Sequence, residues 1–331
     1  MVGLMLRIRR AHSDDGPGIH AAHAAAILVT CRSHYAAEEV AVWAERLTPA
    51  SYAEDVVQRD VFVAEDGARI LGFGVLDAND REVRAVYVHP DAGRRGMGRA
   101  LLHVLETTAR LRGPGRLHLD SSLNAVPFYL AAGWARERAT THTLAPGRDI
   151  ACVVMTKTLA ELPVVVREET PADADAIRAV NEAAFGRAGE GVLVDRLRHA
   201  GALGLSLLAE LDGTVAGHLA LSPVTIDGAC GAPLGLGPMS VLPAYQGNGI
   251  GSRLVEEGLA RARERGHGAV VVLGHPGFYP RFGFVPASRF GLRYDDRVPD
   301  EVFMAAELVP GALASASGFV RYRPEFDAVS E

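Results

Sequence analysis

Two glycine segments, separated by about half the chain, constrain the fold most strongly. Val88-x-Pro90-x5-Gly96-x-Gly98 in "VHPDAGRRGMGRALLHVLETTARL" is written again as Val241-x-Pro243-x5-Gly249-x-Gly251 in "VLPAYQGNGIGSRLVEEGLARARE". The offset is 153 residues at each matching position (Val88 to Val241, Gly98 to Gly251). A second pair, "FYLAAGW" from Phe128 and "FYPRFGF" from Phe278, is offset by 150. A period of that size is a domain, not a solenoid repeat. The 331 residues also exceed what one ordinary core organises. The sequence therefore predicts one unit used twice, 1–160 and 161–331, joined near Leu159 to Pro163.

Each unit carries the same order of signals. "DVFVAED" and "RILGFGVLD" break at Asp66-Gly67, and "LSLLAEL" and "VAGHLALSPVTI" break at Asp212-Gly213, both hairpin signatures. A strand then runs into the glycines, followed by a long helix, another strand ("GRLHLD", "GAVVVLG") and a short helix at the FY motif. "VVVRE" opens the second unit, and Thr170-Pro171-Ala172-Asp173 reads as a helix start. The expected class is α/β with a mixed, partly antiparallel sheet. A tail from about Leu292 to Phe326 is extra to the second unit.

The glycines mark a strand-to-helix turn. Ile250, Leu254, Val255, Leu259 and Ala262 trace a helical stripe directly after it. At a helix start the first N–H groups lack internal partners and the dipole end is positive, so an anion, most often phosphate, suits the position. Glycine lets the chain turn and a ligand approach. A Walker loop requires Gly-Lys-Ser/Thr, which neither copy has. A dinucleotide fingerprint requires a third glycine, and Ser252-Arg253-Leu254 follows Gly251 instead. Asp120 ends the next strand of the first unit, which keeps a nucleotide reading open there.

Gln246-x-x-Gly249-x-Gly251 resembles the acyl-CoA signature of the GNAT N-acetyltransferase superfamily. "NAVPFYLAAGW" and "GHPGFYPRFGF" resemble that family's downstream FY segment, and the resemblance spans nearly the whole chain as two GNAT units. It implies acetyl-CoA as co-substrate, with its pyrophosphate on Gln246, Gly247, Gly249, Ile250, Gly251 and Ser252. Backbone of Met239, Val241 and Leu242 would serve the pantetheine arm, beside a bulge at Gly237-Pro238. An N–H near Val241 or Leu242 would stabilise the oxyanion, and Tyr279 would protonate the leaving thiolate. Glu190 is the candidate base for the acceptor amine, ahead of His275 and His218.

In the first unit Val88, Gly96, Gly98, Asn124 and Tyr129 match the pattern, which would make Tyr129 the acid there, and Glu82 precedes the pantetheine strand, where it would face a substrate. The Gln/Arg position is Gly93, followed by Arg94 and Arg95, which can still neutralise phosphate. The copies are thus unequal, and the second is expected to be the catalytic one, with the first auxiliary. The rival reading is a non-catalytic acyl-CoA-binding or sensing protein.

Composition narrows the partners. The formal charge is −6 and the sequence pI about 6.1, which offers no general attraction for nucleic acid or anionic membrane. The expected acceptor is a small-molecule or peptide amine. Cys31, Cys152 and Cys230 lie far apart without metal spacing, and His20 with His23 lacks a completing ligand, so no metal is expected. The apolar start "MVGLMLRIRR" is shorter than a signal peptide, and the expected compartment is the cytoplasm.

Overall fold

The computed structural model describes residues 6–295 and 297–329, so the apolar start before Leu6 lies outside them. The chain divides into two compact units, Met1–Leu162 and Pro163–Glu331. Among the described residues each is built on a seven-stranded mixed sheet.

The first domain contains β1 (Leu6–Arg10), α1 (Gly16–Thr30), α2 (Ala37–Glu45), α3 (Pro49–Gln58), β2 (Asp60–Asp66) and β3 (Arg69–Asp77). It continues with β4 (Glu82–Val88), α4 (Met97–Leu111), β5 (Gly115–Ser122), α5 (Val126–Ala131), β6 (Ala135–Ala145) and β7 (Arg148–Leu159). Its sheet order is β1-β2-β3-β4-β5-β7-β6, antiparallel except for β4 beside β5. The faces follow from strand alternation. Phe73 and Val75 pack with Ile19 and Tyr52 from the α1 and α3 side. A Cβ at Gly72 or Gly74 would instead meet α4, at Leu101 (3.2 Å) and Leu105 (3.0 Å).

The second domain contains β8 (Val165–Glu168), α6 (Ala174–Phe185), α7 (Gly189–His199), β9 (Leu205–Leu211), β10 (Thr214–Pro223) and β11 (Leu234–Val241). Then come α8 (Ile250–Glu264), β12 (Ala269–Leu273), β13 (Val285–Pro286), β14 (Leu292–Arg293), β15 (Phe303–Glu307) and β16 (Gly318–Phe319). The order is β13-β15-β12-β11-β10-β9-β8, with β11 and β12 parallel. Neighbouring residues on β9 again separate the layers. Leu208 packs with Ile177 and Val194 of α6 and α7, whereas Leu207 approaches the Cβ position of Gly258 on α8. The predicted stripe shifts slightly here. Gly258 is buried and Leu259 half-buried, because a Cβ at Gly258 would stand 3.1 Å from Leu219.

Local chemistry explains the turns. Asp212 (φ 47°) and Gly213 (φ 77°) are both left-handed, as a two-residue type I′ hairpin requires. One stabilising device recurs in both domains and was not visible in the motifs. Arg9 is clamped between Asp15 (2.7 Å) and Glu65 (2.8 Å), and Arg167 between Asp173 (2.8 Å) and Glu210 (2.7 Å). Each clamp ties the first strand to the start of the first helix and to the second strand. In the second domain the Arg167 hydrogen bond holds the Asp173 carboxyl well below the usual range.

Candidate functional site

The parallel strands do not stay together. β11 and β12 pair only at Leu234–Leu236 with Val270–Val272, and β11 then runs on to Val241 beside β10 but without β12. The ladder to β10 shifts between Leu219 and Leu221, where Gly237 and Pro238 oppose the single residue Ala220. This bulge is where the strand leaves its neighbour. It opens a cavity of about 1130 Å³ in the second domain.

One wall is the glycine loop. Gly247 (φ 76°) and Gly249 (φ 82°) are left-handed, and Gly249 caps α8. The N–H groups of Gly249, Ile250, Gly251 and Ser252 belong to the first helical turn, and all four residues line the cavity. A Cβ at Gly251 would lie 3.5 Å from the Met239 sulfur, so the glycine sets how close helix and strand approach. The Gln246 side chain donates to the Val241 carbonyl at 3.0 Å and so fastens the loop to the strand end.

The strand backbone forms the second wall, through Met239, Ser240 and Val241. The expectation for Leu242 needs correction here. Its N–H donates to the Ala216 carbonyl at 2.8 Å, so it has no proton to offer an oxyanion. Because strand N–H groups alternate in direction, the Val241 N–H points away from β10, toward the opened side.

Tyr279 borders the same cavity and is 6% exposed. Burial pushes its pKa up to about 12, so the phenol keeps its proton at neutral pH. Its hydroxyl makes no hydrogen bond to the described residues. The ring sits edge-on to Phe278 and Phe284 and against Gly274, where a Cβ would stand 2.2 Å from it. Glu190, at the start of α7, also lines the cavity; Arg187 donates to it at 2.5 Å. His275 is an exposed part of the rim. His218 is elsewhere, fully buried, with one ring nitrogen at Ser206 (2.9 Å) and the other at Asn181 (3.1 Å). Burial lowers its pKa to about 4, and it is a packed core histidine.

Motif reasoning missed the far end of the cavity. Tyr294, Tyr322 and Phe326 of the tail close it, with Phe185 from the end of α6. Tyr322 stacks edge-on between Tyr294 (5.3 Å) and Phe326 (5.0 Å). It fits only because residue 235 is glycine: a Cβ there would be 2.6 Å from its ring. The glycine was the one available signal, and it pointed to a close approach without naming the partner.

The first domain repeats the cradle in backbone. Gly93 (φ −61°, ψ 151°) matches Gln246 (φ −60°, ψ 152°), and Gly96 (φ 84°) matches Gly249 (φ 82°). Arg94 stands where the second domain has Gly247, yet keeps a positive φ of 59°. Arg94, Arg95 and Gly96 are exposed, while Gly98 faces Val88 and Phe128 at 3.6 Å from its Cβ position. β4 and β5 pair only at Glu82 and His118 before parting. Tyr129 is 6% exposed, its phenol pushed up by burial, and the Asn124 side-chain oxygen is buried without a partner. A cavity of about 390 Å³ lies in this domain, but neither Tyr129 nor Asn124 borders it. Among the described residues no cluster of His, Cys, Asp and Glu suited to a metal is found, and no helix is long and apolar enough to cross a membrane.

Two family models, each described as an acetyltransferase (GNAT) domain, match residues 31–158 and 203–286. The Escherichia coli K12 protein called uncharacterized N-acetyltransferase YhbS is 38% identical over 165 residues, which is 50% of this chain and 99% of that protein. The crystal structure of E. coli YhbS in complex with CoA is 37% identical, spans 52% of this chain and 96% of its own, and superposes with a TM-score of 0.49. A GNAT family acetyltransferase from Brucella melitensis in complex with acetyl-CoA is 44% identical over 50% of this chain and 99% of its own, with a TM-score of 0.42.

Proposed function

The chain belongs to the GNAT N-acetyltransferase family, with two such domains in tandem, and from that premise we propose that the second domain moves an acetyl group from acetyl-CoA to a primary amine. One observation carries the reading. The residues of the first α8 turn, the freed edge of β11 and Tyr279 border a single cavity of about 1130 Å³.

The CoA pyrophosphate rests on the first turn of α8, where backbone donors and the helix dipole face it. The pantetheine arm runs along Met239–Val241 in the opening left by β12. A neutral amine attacks the thioester carbon, forming the C–N bond, and the Val241 N–H stabilises the oxyanion. The C–S bond then breaks, and Tyr279 gives its proton to the departing thiolate. The proton that the ammonium loses before attack goes to Glu190 or to water held beside it. The first domain keeps the cradle without its Gln/Arg side chain and is the auxiliary unit. No step needs a metal-ligand set, and the protein acts in the cytoplasm on a soluble amine acceptor.

The test is turnover. The full chain is mixed with acetyl-CoA and a panel of amines, amino sugars, amino acids and peptides, and free thiol is followed. At least one amine should accelerate thiol release. Binding of CoA with no acceleration by any amine would move the protein to the sensing class. Stabilisation against unfolding by NAD and not by CoA would remove the acetyltransferase reading altogether.

A further inference from the structure

The second domain carries a largely buried polar chain that the proposed chemistry leaves unused. Glu169, one residue past β8, is paired with Arg198 of α7 at 2.7 Å and accepts from the Ser206 hydroxyl of β9. Ser206 Oγ stands 2.9 Å from His218 Nε2, and His218 Nδ1 stands 3.1 Å from Asn181 Nδ2. The network assigns a direction to every bond. Asn181 Nδ2 also donates to the Ile177 carbonyl at 2.9 Å, so it is the amide nitrogen that meets Nδ1, and Nδ1 accepts. The neutral ring then holds its proton on Nε2 and donates it to Ser206, whose own proton goes to Glu169. One end of the chain is thus anchored on an ion pair. At the other end Asn181 Oδ1 is buried and has no partner.

That open end lies beside the acetyl-transfer cavity. Ser240 of β11 is directly opposite His218 of β10, so the two side chains share the α6 face of the sheet. Ser240 borders the cavity, is 3% exposed, and its hydroxyl has no partner. Two other buried hydroxyls of this domain are also unpaired, but Ser222 does not border the cavity and Tyr322 closes its far end. The first domain shows the same three places without the polar chain. Counted from the clamped Asp15 and Asp173, Asn181 stands where the first domain has His23. Gly72 and Gly217 both face the opening turns of their long helices, which sets His218 at the place of Phe73. The glycine loops set Ser240 at the place of Tyr87. Those three rings converge, with centres 3.9 Å apart for His23 and Tyr87, 5.0 Å for His23 and Phe73, and 5.7 Å for Phe73 and Tyr87. Asn181, His218 and Ser240 therefore meet at one point, where the second domain has a short hydroxyl and the first a phenol.

We propose that Ser240 Oγ holds the nitrogen of the acceptor amine during attack, and that Asn181 is the positioning residue behind it; the proposal rests on acetyl transfer taking place in this domain. The bonds of Asn181 Nδ2 to His218 and Ile177 turn Oδ1 the other way, where it takes the Ser240 hydroxyl proton directly or through one water. The lone pairs of Ser240 Oγ are then left for one N–H of the neutral amine. Val241, the next residue along the strand, supplies the N–H for the oxyanion, about 3.4 Å further on. Nucleophile and thioester are in this way held by neighbouring residues of one strand, with the nitrogen lone pair facing the carbonyl carbon. Ser240 neither gains nor loses a proton, so the proton balance of the proposed reaction is unchanged.

Steady-state thiol release by the full chain, with the amine that the panel identifies, compares wild type, Ser240→Ala and Ser240→Thr. Ser240→Ala should lower kcat/KM for the amine about tenfold, the weight of one hydrogen bond, while KM for acetyl-CoA and the calorimetric affinity for CoA stay within about twofold. Ser240→Thr keeps the hydroxyl and should stay within about threefold of wild type. A serine with only a structural role would not divide the two substrates in this way. Asn181→Ala should add little to Ser240→Ala, because both changes act on one contact. Should Asn181→Ala fail to fold, having stripped His218 Nδ1 of its donor, the Ser240 variants decide alone. Wild-type kcat/KM for the amine in Ser240→Ala overturns the proposal. So does an equal loss in Ser240→Thr, or losses that multiply in the Asn181→Ala, Ser240→Ala double variant. Each of these leaves wild-type turnover intact and so spares the acetyl-transfer reading, whereas a wild type that acetylates no amine removes that reading and this proposal together.

Discussion

Gly274→Ala should disable the second domain without loosening its hold on CoA. The new Cβ would stand 2.2 Å from Tyr279 Cε2 and 2.8 Å from Cδ2. Carbon atoms settle at roughly 3.5–4.0 Å, so the ring must retreat by more than about 1 Å. Retreat is blocked by Phe278 and Phe284, whose ring centres are 5.0 and 5.6 Å away. A catalytic group misplaced by about 1 Å can cost on the order of a hundredfold in rate, or ~2.7 kcal/mol of transition-state stabilisation. The assay is thiol release at saturating acetyl-CoA with whichever amine the panel identifies, alongside calorimetric titration of CoA. We expect kcat to fall about a hundredfold and CoA affinity to stay within about twofold. Tyr279→Phe provides the cycle. If Gly274→Ala acts through the phenol, adding it to Tyr279→Phe should cost little more, because the two changes share one interaction. A Gly274→Ala protein with normal kcat would refute the reasoning. So would losses that simply add in the double variant.

Two further outcomes follow from the paired architecture. Arg94 holds a left-handed backbone (φ 59°) that its counterpart Gly247 adopts freely, so Arg94→Gly should stabilise the first domain by roughly 0.5–1 kcal/mol. Urea unfolding followed by tryptophan fluorescence reads this domain, and an unchanged or lower midpoint would contradict it. Asp173→Asn should cost about 2 kcal/mol in the second domain, discounted from a fully buried pair because the Arg167 side chain is 34% exposed. The Asp173 carboxyl is held below its ordinary range, so its contribution is complete above about pH 4–5 and declines as pH falls further. Urea midpoints followed by circular dichroism should therefore converge between wild type and variant as pH drops from 6 to 3. A gap that stays constant would exclude the linkage.

The parts of the site that the sequence disclosed were those where backbone geometry leaves few residue choices. Gly249 and Gly96 both take φ near +83°, which only glycine adopts at little cost, so the cradle appears as a repeated letter. Asp212-Gly213 was legible for the same reason. Arg94 shows the limit of that rule, since it accepts the strained conformation and so hides half of the resemblance between the loops. Tyr279, the acid proposed for the leaving thiolate, stood out by its place after the glycine loop. The far wall did not. Tyr294, Tyr322 and Phe326 are aromatic residues in a tail without periodicity, and they reach the cavity through a hole made by Gly235 on a strand far upstream. Leu242 illustrates a different limit. Its position in the motif is right, but which side of a strand an N–H faces depends on register, and the partner Ala216 fixes that only in the folded sheet. The arginine clamps at Arg9 and Arg167 were likewise hidden, because each joins three segments that no local pattern connects.

The most direct test of the unequal roles of the two domains compares Gly249→Glu with Gly96→Glu. Both positions have φ near +83°, and neither Cβ would meet an atom within 4 Å, so the backbone cost and the room for a side chain are matched. The difference that remains is whether the carboxylate falls where a reacting CoA needs its pyrophosphate. In acetyl-CoA-dependent thiol release by the full chain, Gly249→Glu should abolish turnover and Gly96→Glu should leave it within about twofold of wild type, the latter being within the spread of neutral surface changes. Equal loss from the two substitutions, or loss from Gly96→Glu alone, would contradict the assignment of the chemistry to the second domain.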